Sequence, residues 1–164
     1  MTLHTAAMAL VRALLLSGMS VPAPSLAQAA GEPSPESAED GASDADSHNA
    51  AFEAGLQWRV TPQTTDERLV CAAVWNRWTY AVESAASEKF RAALRPELSV
   101  TNAGTREAFW RAEAARLLDS ASDVFALGEE KAAAEQKADA LYAAYAQGKD
   151  RGLAKLMEWL AICK

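Results

Sequence analysis

Cysteine, histidine and paired carboxylates are the residues of this chain whose chemistry goes beyond packing, and each is scarce. The cysteines are two, Cys71 and Cys163, without the CxxC spacing of thiol oxidoreductases or the CxxCH run that attaches haem. Both fall on apolar stripes, near the start of one helix and the end of another. If those helices are antiparallel neighbours in an exported protein, the thiols meet as a structural disulfide. The histidines are also two. His4 lies in a leader and His48 in an acidic linker, so the folding segment is expected to contain none. That removes the commonest general base and the commonest zinc, copper and haem ligand. Met157 reads as a core gap-filler rather than an axial ligand, and the scattered glycines form no phosphate-cradling loop.

Carboxylates are the remaining route to catalysis. Asp119 and Asp123 are four residues apart, as are Glu135 and Asp139, and either spacing puts two acids on one helix face. A hard cation or an acid–base pair would use that arrangement. Asp119 and Asp123 fall on the solvent side beside Arg116, where no apolar pocket raises a carboxyl pKa. Lys131 precedes Glu135 by one helical turn as an ordinary partner. Both pairs read as charged outer faces, and the sequence offers no catalytic, cofactor-binding or metal-binding residue.

Aromatics are the notable excess. Trp58, Trp75, Trp78, Trp110, Tyr142, Tyr145 and Trp159 fall on or beside apolar stripes, apart from Trp58, which lies outside the bundle helices and is the one expected to be exposed. Large rings fill the space between alanine-rich helices. The same set is the candidate surface for an apolar ligand or a partner, with indole N–H groups at its rim.

The elements that must position these residues are helices. The chain has 164 residues, with 38 Ala and 17 Leu against eight Val and one Ile. That composition favours helix and excludes an all-β fold or a large α/β enzyme. A short helix is expected over 50–58 with Asn49 as its cap. Thr64 and Glu67 form a capping box ahead of a stripe of Cys71, Val74, Trp75, Trp78, Val82 and Ala85. The stripe fails at Lys89, which predicts a kink or restart near Ser87 and a helix end before Pro96. Residues 95–104 read as a loop. A second long helix begins near Thr105, carries Trp110, Ala114, Leu117, Leu118, Ala121 and Phe125 on one face, and ends at Gly128 as its C′ residue. A third carries Ala134, Ala138, Leu141, Tyr142 and Tyr145 and stops at Gly148. Asp150 is expected to cap a last helix with Leu153, Leu156, Met157, Leu160 and Cys163.

The N-terminal third reads differently. Arg12 followed by the apolar run 13–21, Pro22, Pro24 and Ala27-Gln28-Ala29 forms a signal peptide over 1–29, cleaved after Ala29. Ser25-Leu26-Ala27 is a second acceptable processing site. Residues 30–50 hold six acids and no Lys or Arg, which predicts a disordered acidic linker. The net charge of −6 belongs to this linker, because 51–164 has sixteen acids and fifteen bases. No clustered positive surface invites nucleic acid.

The sequence therefore predicts an all-α, single-domain antiparallel bundle of about four to five helices over 51–164, with one disulfide and no transmembrane anchor once the leader is removed. The function that follows is a non-enzymatic periplasmic or secreted interaction module without a cofactor, its partner a protein or envelope component. Two alternatives are a carrier of a small apolar ligand in an aromatic-lined cavity and a stress-type holdase.

Overall fold

The protein is all-α, with a Cys71–Cys163 disulfide. The structure, a computed structural model, describes residues 35–118, 124–149 and 151–164. The leader expected over 1–29 lies outside them. The described helices are α1 (Pro35–Gly55), α2 (Thr65–Ser84), α3 (Glu88–Ala93), α4 (Val100–Leu118), α5 (Val124–Ala146) and α6 (Gly152–Ile162), with 3-10 turns at Leu56–Trp58 and Pro96–Leu98. Helix α2 is the centre. It packs along α4 and α5 and meets α6, while α1 lies across α6 and α3.

Several starts and stops follow local chemistry legible in the sequence. At the start of α2, the Glu67 amide donates to Thr64 Oγ1, and the Glu67 carboxylate accepts from the Thr64 and Gln63 amides. These contacts satisfy donors that a helix start otherwise leaves unpaired. They also hold the Glu67 carboxyl below its ordinary pKa, the Gln63 amide contributing most. Ala85 turns to extended geometry, and Ser87 caps α3 by accepting from the Phe90 amide, so the helix restarts where the apolar stripe rotates. Gly148 ends α5 at φ +59°, with the Lys149 amide donating to Ala144 O and the Gly148 amide to Tyr145 O. That pair of bonds is a Schellman motif, whose left-handed residue suits glycine.

Other expectations are corrected. Residues 41–50, expected as disordered linker, are helical, and α1 begins at Pro35 rather than Ala50. Its acids do not prevent this, because the helix also carries a regular buried face. The apolar matter is sparse but regular. Gly41, Ala45, His48, Phe52 and Gly55 recur at alternating spacings of four and three, and all five are buried. Asn49 is no cap. From mid-helix its side chain donates to Ala93 O and accepts from the Arg95 amide, tying α1 to the end of α3.

Residues 100–104, expected as loop, are the first turn of α4, supported by Ser99 Oγ accepting from the Asn102 amide. Gly128 does not end a helix but lies within α5. Asp119, Asp123 and the expected cap Asp150 lie outside the described residues.

The core explains the amino-acid usage. Residues 70–75 of α2 are buried without a break, so this helix is surrounded rather than faced on one side. Ala72 and Ala73 let neighbours approach, while Trp75, Trp78, Phe52, Leu98, Leu156, Met157 and Leu160 supply the volume. The α1–α6 crossing is closest at Gly55, where an added Cβ would stand 2.8 Å from Ala161 Cβ and 3.0 Å from Glu158 Cα.

Two stability outcomes are expected in denaturant unfolding. The double variant C71S/C163S loses about 4–5 kcal/mol, because the bridge closes a loop of 92 residues. Gly55→Ala loses about 1–3 kcal/mol through overpacking at the α1–α6 crossing.

Candidate functional site

The sequence-predicted candidate residues separate into three groups in space. The first surrounds the disulfide. Cys71 and Cys163 are fully buried with Cα atoms 5.4 Å apart. The carbonyl of Cys163 accepts two indole N–H groups, from Trp75 on α2 at 2.7 Å and from Trp110 on α4 at 2.6 Å. A carbonyl has two lone pairs, so both are used. Trp78 is satisfied in the same way by Leu98 O at 2.8 Å. These three tryptophans are packed, hydrogen-bonded core.

The second group is an aromatic row crossing from the surface inward. Tyr80 meets Tyr142 edge-on at 6.0 Å, Tyr142 meets Tyr145 at 6.2 Å, and Tyr145 meets His48 edge-on at 5.6 Å. His48 is the residue that sequence reasoning placed wrongly: only 8% exposed, it lies among Trp78, Phe90 and Tyr145 rather than in a solvated linker. Its Nδ1 is 2.6 Å from Asp44 O and its Nε2 is 3.0 Å from Tyr145 Oη. Burial outweighs the Asp44 carbonyl and carboxylate and lowers the imidazole pKa, while burial raises that of the Tyr145 phenol. The spacing of small and apolar residues on α1 was the signal that would have found it.

The third group is an edge beyond α1. Trp58 is 63% exposed, as expected, and Val60 is 55% exposed. Arg59 between them has a left-handed φ of 43°. Val60, Pro62, Glu67, Trp159 and Ile162 line a groove of about 70 Å³, and Lys137 Nζ lies 4.2 Å from the centroid of the Trp159 ring.

One of the two candidate carboxylate pairs is tied across helices. Glu135 and Asp139 are joined not by Lys131 but by Arg77 of α2, at 2.7 and 2.6 Å. Arg68 bridges α2 to Glu113 of α4. Among the described residues, no group of three His, Cys, Asp or Glu is arranged to hold a metal ion, and no helix is long and apolar enough to cross a membrane. A shallow opening of about 180 Å³ between α2, α4 and α5 is floored by Leu69, Ala72, Ala73, Ala115 and Ala134, with no tryptophan on its wall.

Comparison of the chain with protein families, with curated proteins and with solved structures finds no match.

The shared Cys163 carbonyl makes a specific energetic prediction. Trp75→Phe or Trp110→Phe alone leaves that carbonyl one donor, whereas the double variant leaves it buried and unpaired. The double-mutant cycle in urea is expected to show a loss exceeding the sum of the single losses by about 1–3 kcal/mol.

Proposed function

We propose that the chain is an exported, non-enzymatic binding module that holds a protein partner at the Trp58–Val60 edge. The observation that carries this reading is the exposure of Trp58. Among the described residues the other exposed aromatics rest against rings, Tyr80 on Tyr142 and Phe109 on Trp110, whereas Trp58 makes no ring contact. An indole so placed exposes surface whose burial stabilises a complex by about 3–4 kcal/mol on area alone. Val60, two residues along, lines an apolar groove edged by Glu67, and an exposed tryptophan close in the chain to such a groove is the composition of an interface hot spot. The carrier reading lacks comparable support, because Trp75, Trp78 and Trp110 spend their N–H groups on backbone carbonyls inside the core.

Export rests on the leader pattern over 1–29. Cleavage after Ala29 would leave every described helix intact, since α1 begins at Pro35. Intact-mass measurement of the chain recovered from the periplasm or medium is expected to show Ala30 as its first residue.

The interface is tested with Trp58→Ala. The variant is expected to keep the wild-type thermal midpoint while capturing the partner at least about tenfold less strongly from native envelope extract, the loss that removing one anchoring side chain produces. Equal capture by the two proteins would remove the Trp58 edge from the interface.

A further inference from the structure

His48 sits in helix α1 with its imidazole turned inward, touching one ring from each of three other helices: Trp78 of α2, Phe90 of α3 and Tyr145 of α5. Its hydrogen bonds fix one tautomer. The Asp44 carbonyl only accepts, so Nδ1 carries the proton, and Nε2 must then accept from the Tyr145 hydroxyl. A second proton would occupy Nε2. The Tyr145 oxygen would then have to accept instead of donate, and its own hydrogen would need a new partner. Among the described residues the Tyr145 hydroxyl has no other. A charged imidazole would also stand among aromatic rings with little water to solvate it.

We propose that His48 is the sensor of a pH-sensitive latch, which keeps α1 docked while the imidazole is neutral and releases it when the imidazole is protonated.

The groups around the ring decide the sign. On α1 itself, the Asp44 carboxylate favours the charged imidazole, but Asp44 is exposed and its effect is outweighed by burial. From α5 comes Tyr145, a phenol whose pKa is raised and which stays neutral through the acid range. The facing side chains from α2 and α3 are Trp78 and Phe90, which do not titrate. Helix α6 meets α1 at Gly55, two turns beyond His48, where the ionisable residue beside it is Glu158, approaching through its backbone. The folded chain therefore holds its proton less tightly than the unlatched chain does. With the pKa lowered from about 6.5 in the docked state, stability is complete above that value and is lost as pH falls below it, until the lowered pKa is reached.

Release has a defined extent. Helix α1 is seated by Ala45, His48 and Phe52 and by two glycines at close approaches, Gly41 against Ser87 and Gly55 against Ala161. Undocking uncovers Trp78, Phe90 and the α6 surface around Ala161, whereas α2, α4 and α6 remain joined at Cys163. Acid thus frees one helix from a stapled remainder. The latch does not depend on the proposed export or on the Trp58 edge.

Hydrogen exchange of the full chain, corrected for intrinsic rates, tests this between pH 7.5 and 4.5. Protection of amides over 41–55 is expected to fall by about tenfold or more on acidification, while those of α2 hold theirs. In His48→Gln the protection over 41–55 is expected to be flat across that range. Unchanged wild-type protection, or the same fall in His48→Gln, would overturn the proposal. Should His48→Gln fail to dock α1 at pH 7.5, an NMR titration of His48 in the His4→Gln chain decides. A midpoint below about 6.5 supports the latch, and one at or above it overturns it.

Discussion

A single backbone carbonyl, that of Cys163, governs how the helices of this protein are joined. It receives an indole N–H from α2 and another from α4, and the side chain of the same residue is bonded to α2 through Cys71. The end of α6 is thereby held in two directions by donors and in a third by a covalent bond. Each alone is modest. Together they leave the last residues of the helix no freedom to slide, since a shift would unpair a buried carbonyl and two indoles at once. Helix α1 rests on α6, so its position is inherited from this point as well.

The rest of the core follows from the same economy of residue types. Ala72 and Ala73 give α2 a slender surface on which α4 and α5 approach, and the volume lost to alanine is returned by a few large rings. Rings carrying a polar atom can do this only where that atom finds a partner. Trp75, Trp78 and Trp110 all point their N–H groups at carbonyls at the ends of other elements, where helical bonding leaves acceptors free. The indoles therefore act as packing units and as C-terminal caps.

How much of this was legible depended on whether the signal was local. The Thr64–Glu67 box, the Ser87 restart and the Gly148 stop each rest on a few consecutive residues, and each was readable. The disulfide was readable because two cysteines admit one pairing. Helix α1 was hidden because composition outweighed pattern: its acids suggest disorder, while its buried face uses glycine, alanine and histidine, which score as weakly apolar. Its stability comes from neighbours, and only the fold reveals those. Gly128 misled for the opposite reason, since a glycine that suits a helix end is also tolerated inside a helix at about 1 kcal/mol. The Arg77 bridge to Glu135 and Asp139 spans 58 and 62 residues, beyond any local rule. Of the candidate surface, Trp58 was legible from its place outside the apolar stripes, and His48 was not, because its environment is assembled from α2, α3 and α5.

The two proposed features meet at one end of α1. The helix finishes at Gly55, pressed on Ala161 and Glu158, and the chain passes directly through the turn Leu56–Trp58 to Val60. Val60 forms the groove together with Trp159 and Ile162, both from the α6 segment on which Gly55 rests. A chain that lifts Gly55 from α6 must therefore carry Leu56, Trp58 and Val60 with it, because only two residues, Leu56 and Gln57, separate Gly55 from the exposed indole. Protonation at His48, two helical turns earlier, would then alter the geometry of the Trp58 edge without any charge entering it. The coupling needs no relay of side chains. A helix is stiff over two turns, and a stiff rod fixed at His48 and Gly55 cannot leave one seat while remaining well packed in the other.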